Sequence, residues 1–516
     1  MFSSQVYQKI FYRFFRLFFA VGLKIYMPLK MRIRPVIVKY PRLHRSAILF
    51  KEGVKGLIIP MDPAPPSFPE AATALQPQSD REVDTSAGRI PEWLIEEWQE
   101  IHAIEPQLFP DKNLISHIPF YSVPHSRLAE SYLELCEAFG DNVSHVFLIP
   151  WLVRGGADLV ALNYIRALHG RFAKNIVVIT TLPHDSVWQK RLPKKVRFIE
   201  FGKKYAFLSG EEKEKLLTRL LLQMAPEVIH NINSELGYDI FIKYGQALKT
   251  VSRLYACSFC GDVSAEGGRV GYPFGHLPAC FDHLTAVLTD NCWHVEDMHR
   301  IYALDRKKMI VHYQPAPNTV REMQTDEACP SEGRLKKETM DIVWAGRLDR
   351  QKRPDILLEI ARRCQHMPFR FHVYGSFVLD RDRVIEKKFK AAENLTYHGT
   401  FDGLPNIRGI FDYDLFLNTS QWDGLPNILL EAISLGLPVV SSDAGGICEL
   451  IRHDMTGFLI SPYDHVDAYV DCLKKIYADR SVLSEIAEAA RTLVQSRHSW
   501  ESFVNTMKEI PGYCQT

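Results

Sequence analysis

From His145 onward, short β-branched runs alternate with amphipathic stretches of helical length, and this alternation constrains the fold more than any other feature. The first series of strand patterns is HVFLIP (145–150), NIVVITT (175–181), VRFIEF (196–201), EVIHNI (227–232), RLYACSF (253–259) and TAVLTD (285–290). Helical patterns over 157–171, 211–224, 238–249 and 291–303 lie between or after them. A second series follows: DIVWAGR (341–347), RFHVYG (370–375), LTYHG (395–399), DLFLNTS (414–420), LPVVSS (437–442) and TGFLI (456–460). Its helices are expected near 353–365, 427–435, 464–478 and 481–496. Runs that are apolar on both faces, separated by helices, predict parallel sheets covered on both sides. The polar interval 318–340 lacks a strand pattern and is expected to be a hinge. The fold class is therefore α/β, with two doubly wound Rossmann-like domains and ligands bound in the cleft at the C-terminal ends of their strands.

The N-terminal part is built differently. Residues 1–50 carry ten Lys or Arg and no acid; the first acidic residue is Glu52. The whole chain has net charge +1, so the remainder is acidic. That balance argues against a nucleic-acid partner, which needs a basic excess. The longest charge-free run in residues 6–42 is Leu17–Leu23, far short of the roughly 20 residues of a spanning helix. At helical spacing Lys9, Arg13, Arg16 and Lys24 fall on one side, and Phe11, Phe14, Phe15, Phe18, Val21 and Ile25 on the other. This is the pattern of a helix lying on an anionic membrane surface, and a helix docked on the protein body is the plainer alternative. Residues 60–89 hold six prolines between Pro60 and Pro77 and few large apolar groups. Such a segment cannot build a core and is expected to be a linker.

Three segments at expected strand-to-helix turns carry chemistry. In WLVRGGADLV, Gly155 and Gly156 allow close backbone approach, and the following helix start offers unpaired N–H groups to an anion. Gly-Gly in a tight turn also serves geometry alone. In AGRLDRQKRPD, Arg347 and Lys352 are placed to clamp a diphosphate, or else are simple surface cations. In SQWDGLPNILLEAISLGLPVVSSDAGGICELI, seven residues separate Asp423 from Glu431. Gly424, Leu425 and Asn427 lie at a helix start suited to phosphate. Glu431 sits in the apolar stretch ILLEAISLG, where an acid needs partners such as vicinal hydroxyls.

Taken together, these segments resemble glycosyltransferase family 4, of GT-B fold and the bacterial cell-surface polysaccharide type. The resemblance spans about residues 145–510 and is strongest over 341–461. It implies a retaining transfer of a sugar from a nucleotide-sugar to a glycan or lipid-linked acceptor. It implies that Arg347 and Lys352 hold the donor diphosphate, that Glu431 holds the ribose, and that Asp423, where the family has Glu, meets the sugar. Gly155 and Gly156 match the loop beside the donor phosphates. A family histidine near the reacting sugar has its nearest candidate in His230.

The resulting domain scheme is a 1–59 extension, a 60–89 linker, a 90–317 acceptor-side domain, a 318–340 hinge and a 341–516 nucleotide-sugar domain whose last helix can cross back. No cofactor and no metal are expected. Asp412-Tyr413-Asp414 mimics a metal motif of another fold but leads into a strand, and Cys257-x-x-Cys260, with Cys280 and Cys292, lacks a second close pair. Asp262, after a strand end, is an acceptor-side candidate. Cysteines scattered singly fit a reducing compartment, so the expected place is the cytoplasm, peripheral on the inner face of the cell membrane. The competing functions are a sugar epimerase or phosphorylase of the same fold, or a catalytically degenerate scaffold of a polysaccharide assembly.

Overall fold

The computed structural model describes residues 92–104, 106, 127–316, 337–376 and 383–515. The basic extension, the linker and most of the hinge lie outside the described residues. The chain divides into two compact units, one of residues 53–135, the other holding residues 136–516 together with 1–52. The described part of the smaller unit consists of helix α1 (Glu92–Ile104) and most of α2 (Arg127–Phe139).

The larger unit contains both expected sheets. Its first series comprises β1 (His145–Ile149), β2 (Ile176–Thr180), β3 (Arg197–Ile199), β4 (Val228–Ile232), β5 (Arg253–Cys257), a hairpin of β6 (Asp262–Val263) and β7 (Arg269–Val270), β8 (Ala286–Thr289) and β9 (Met309–Val311). Seven of these strands pair in the order β3-β2-β1-β4-β5-β8-β9. Every neighbour is parallel, with His145 in register with Ile176 on one side and Val228 on the other. The crossover helices include α3 (Gly156–Phe172), α4 (Gly210–Met224), α5 (Glu235–Leu248) and α6 (Cys292–Tyr302). Ser209 opens α4 with a capping box, its hydroxyl accepting from the Glu212 N–H while Glu212 reaches back.

The second series comprises β10 (Met340–Ala345), β11 (Phe369–Tyr374), β12 (Leu395–Gly399), β13 (Leu415–Asn418), β14 (Val439–Ser442) and β15 (Phe458–Ile460). They pair in parallel in the order β12-β11-β10-β13-β14-β15. Helices α7 (Pro354–Arg363), α8 (Arg383–Ala391), α9 (Asn427–Ser434), α10 (Val466–Ala478) and α11 (Val482–Arg497) accompany this sheet. One core lies on each sheet face, one built around Trp344, Phe371 and Tyr469, the other around Phe416, Leu429 and Leu430. Burial on both faces explains why a central strand such as β13 reads as a continuous apolar run, whereas β11 and the edge strand β12 alternate buried with more exposed residues.

The chain then crosses back. Helix α12 (Trp500–Met507) buries Phe503, Val504 and Met507 in the core of the first domain, beside Phe147 and Ile165, and Ile510 and Tyr513 follow. Each such side chain contributes ~1.5–3 kcal/mol on burial, before ordering costs. Ala316 N–H donates to His498 O at 2.8 Å, joining outgoing and returning chain. Residues 500–515 therefore belong structurally to the first domain. Among the described residues no helix is long and apolar enough to cross a membrane.

Candidate active site

The C-terminal ends of both parallel sheets carry the turns that sequence singled out. Gly155 is the extended N-cap of α3, and Gly156 is its first residue. Asn427 opens α9 in the second domain, and its Nδ2 lies 3.4 Å from Gly156 O. Two of the expected phosphate-binding segments thus meet across the cleft.

The loop after β10 is fixed before it presents its cations. Trp344 Nε1 donates to Thr419 Oγ1 at 3.0 Å, and Thr419 Oγ1 donates to Lys352 O at 2.8 Å. Gln421 N donates to Gln351 O at 2.8 Å, and Gln351 Nε2 to Trp422 O at 3.0 Å. The 347–352 loop and the 419–423 loop therefore form one ledge. On it Lys352 Nζ is paired with Asp423 Oδ2, side chains 13% and 11% exposed. Arg347 stands farther out, 45% exposed, with Nε 3.0 Å from Asp349 Oδ2 and a further bond to Gln351.

Glu431 lies one turn inside α9, among the buried Leu429, Leu430, Ala432 and Ile433. Its Oε2 accepts from the Leu404 N–H at 2.8 Å. Burial pushes its carboxyl above the usual range, while the Leu404 N–H and the Arg154 charge oppose that rise. Arg154, just before Gly155, pairs with Asp402 at 2.8 Å and lies 5.4 Å from the Phe401 ring centre. Arg191 reaches the same Asp402 at 3.6 Å. Asp158, whose Oδ1 accepts from the Val153 N–H at 3.0 Å, is pushed up to about 6 by burial.

Gly424 and Leu425 sit in the seam between the domains; the Leu425 side chain belongs to the core, 3% exposed. Asp262 Oδ1 accepts from Trp422 Nε1 at 3.0 Å, which ties the β6–β7 hairpin to the same ledge. Glu449 crosses in the other direction. Its Oε1 accepts the Cys292 and Trp293 N–H groups at 2.7 and 3.0 Å, capping α6 of the first domain. Arg154, Asp158, Asp402 and Glu449 were not picked out from sequence. Each is recognisable only by partners brought in from distant segments, apart from Asp158, whose helix-start position was a local signal.

His230 is corrected. It lies inside β4 and is 0% exposed. Its Nδ1 meets Tyr513 Oη at 2.6 Å and its Nε2 meets Cys257 Sγ at 3.1 Å, so both ring nitrogens are spent in the core. Burial holds its pKa well below the ordinary value. It cannot reach a ligand in the cleft. Asp414 is likewise structural: its Oδ2 accepts the Asp341 N–H at 2.7 Å, and it faces Arg480. Among the described residues the cysteines are free, and Cys257 packs in the first core.

Residues 339–479 match the family model described as glycosyl transferases group 1. The chain is 28% identical over 223 residues to the O-antigen biosynthesis glycosyltransferase WbnH of Escherichia coli, covering 42% of this chain and 60% of that one. It is 26% identical over 182 residues to an Escherichia coli UDP-Gal:alpha-D-GlcNAc-diphosphoundecaprenol alpha-1,3-galactosyltransferase, covering 34% and 46%. The matches span less than two thirds of these relatives. Among solved structures, HepE of Anabaena in complex with UDP and glucose superposes with TM-score 0.55 at 15% identity, over 71% of this chain and 99% of that one. WaaG, a glycosyltransferase involved in lipopolysaccharide biosynthesis, superposes with TM-score 0.53 at 15% identity, over 71% and 100%. These likenesses establish the two-domain GT-B fold.

Proposed function

Because the chain belongs, through residues 339–479, to the group 1 glycosyltransferases, we propose that it moves a sugar from a nucleotide-sugar to a glycan or lipid-linked acceptor in cell-surface polysaccharide synthesis. The observation that carries this reading is the enclosed Lys352–Asp423 pair on the second-domain ledge, with Glu431 on the helix that follows. A donor diphosphate competes with Asp423 for Lys352. That exchange frees the Asp423 carboxylate for the sugar hydroxyls. Arg347, half exposed at the mouth, adds a second cation, and Glu431 accepts from the ribose hydroxyls.

The costly event is breaking the bond between the anomeric carbon and the diphosphate oxygen. The electron pair leaves with the phosphate, and preorganised cations stabilise the charge that grows there. The acceptor hydroxyl oxygen bonds to the anomeric carbon on the same face, and its proton passes to the departing phosphate oxygen. Configuration is retained, and no protein nucleophile takes part. In this reading Lys352, Arg347 and the α3 start take the phosphate charge, so the reaction does not require a metal. The basic N-terminal segment would hold the enzyme on an anionic membrane surface beside a lipid-linked acceptor, on the cytoplasmic side.

A panel of nucleotide-sugars incubated with the protein and a lipid extract, followed by NMR of the product, tests this. One donor should yield a glycoside with the donor's anomeric configuration. Epimerised sugar without acceptor consumption, dependence on inorganic phosphate, or an inverted product would overturn the reading.

A further inference from the structure

Glu449 ends the short helical turn Gly445–Glu449 that follows β14, and no step above uses it. From the second domain its carboxylate reaches two distant parts of the chain at once. Oε1 accepts the Cys292 and Trp293 N–H groups at 2.7 and 3.0 Å, at the start of α6 in the first domain. Oε2 accepts from Tyr313 Oη at 2.7 Å, on the stretch that leaves β9 for the second domain. The backbone is held as well. Arg497 Nη2 donates to Glu449 O at 2.8 Å, and its guanidinium lies 4.4 Å from the Tyr313 ring centre. Arg497 is the last residue of α11, just before the chain crosses back. Glu449 thus joins the first domain, the outgoing chain and the returning chain.

The other end of the same turn backs the donor ledge. Gly445 has φ +59°, and a Cβ there would run into Asp423 O. The Gly446 N–H donates to Gly424 O at 3.1 Å. A Cβ on Gly446 would stand 2.5 Å from Asn291 Cβ of the first domain, so the seam is tight here too. Five residues therefore connect Asp423 and Gly424 to the grip on α6 and Tyr313.

We propose that Glu449 is a positioning residue for sugar transfer, setting where the donor ledge stands relative to the first domain. The proposal rests on the donor reading above. In that reading Lys352, Asp423, Arg347 and Glu431 all belong to the second domain, so a nucleoside diphosphate finds most of its partners there. Transfer also needs the α3 start and the acceptor from the first domain, and a misplacement of about 1 Å can cost about 100-fold. Apolar packing alone would let the seam slide. A carboxylate bound to three donors fixes distance and direction together.

Glu449→Ala, Glu449→Gln and Tyr313→Phe in the full chain test this with three readouts. These are calorimetric affinity for the tightest of UDP, GDP and ADP, turnover with the donor found by the panel above, and hydrogen exchange of the Cys292 and Trp293 amides. Those two amides have no partner within their own helix, so losing Glu449 exposes them. Glu449→Ala should keep nucleotide affinity within about threefold, lose about tenfold or more in turnover, and exchange both amides about tenfold or more faster. Glu449→Gln keeps an oxygen for the two N–H groups and should retain turnover within about threefold of the parent. Tyr313→Phe removes one donor of three and should fall between these two. Parental turnover or parental amide exchange in Glu449→Ala overturns the proposal and leaves the donor reading intact. So does a nucleotide affinity that falls as far as turnover, which would make Glu449 part of the binding site or of the fold alone. If the parent binds none of the three nucleotides, or transfers no sugar, both readings fall. If Glu449→Ala does not fold, Tyr313→Phe decides: lower turnover at unchanged nucleotide affinity supports the proposal, and parental turnover contradicts it.

Discussion

Lys352 and Asp423 are so enclosed that neither can be removed alone without leaving a buried charge. Breaking such a pair typically costs ~3–5 kcal/mol. Lys352→Ala is expected to destabilise the chain by about that much in denaturant unfolding, and Lys352→Ala with Asp423→Ala to recover most of it. The double variant should nevertheless lose sugar transfer, which separates a catalytic pair from a structural one. Lys352, Asp423 and Glu431 were each singled out in sequence because each lies in a local pattern, a turn, a helix start and one helical turn, but the ion pair between Lys352 and Asp423, 71 residues apart, was not foreseen. His230 misled for a related reason. Its strand was identified correctly, but it sits two residues before the strand end at Ile232, and its ring packs against Phe147 and Tyr164.

At the scale of elements, the alternation of buried runs and amphipathic helices was enough to find twelve of the fifteen strands among the described residues. The exceptions are β9, only three residues long, and the two-residue strands of the β6–β7 hairpin, which carry too few residues for a period to show. Helix α8 was also missed; its central IEKKFK is rich in charge and offers little apolar signal. The returning α12 shows how tertiary burial decides what local pattern leaves open. Phe503→Ala should cost about 3–5 kcal/mol and, because Phe503 packs in the first domain's core, should unfold that domain first. Tyr513→Phe leaves His230 Nδ1 without its hydroxyl and should cost about 1–3 kcal/mol. Differential scanning calorimetry reads both; a Phe503→Ala effect confined to the second domain would contradict the crossing.

For the whole molecule, buried histidines set the acid limit. His145, His294, His312 and His498 are each held at about 4 by burial. The unfolded chain binds their protons below about 6.5, so stability falls as pH drops from there towards about 4. Asp158 and Asp290, raised to about 6 and about 7, have the opposite sign, because their buried charge costs stability as pH rises. Four histidines against two acids give a net fall in melting temperature below about pH 6.5. A flat profile across that window would contradict this balance. Residues 1–50, with ten cations and no acid, should bind the chain to anionic vesicles at about 1 kcal/mol per cation near the surface. Deleting them should release it in a flotation assay, and persistent binding would place the contact elsewhere. The claim on which the account depends is that the ledge and α9 hold a nucleoside diphosphate. Titration of UDP, GDP and ADP into the parent and Glu431→Ala tests it most directly: one nucleotide should bind the parent with a single saturable isotherm and the variant about tenfold or more weakly, whereas equal affinity in both would contradict the account.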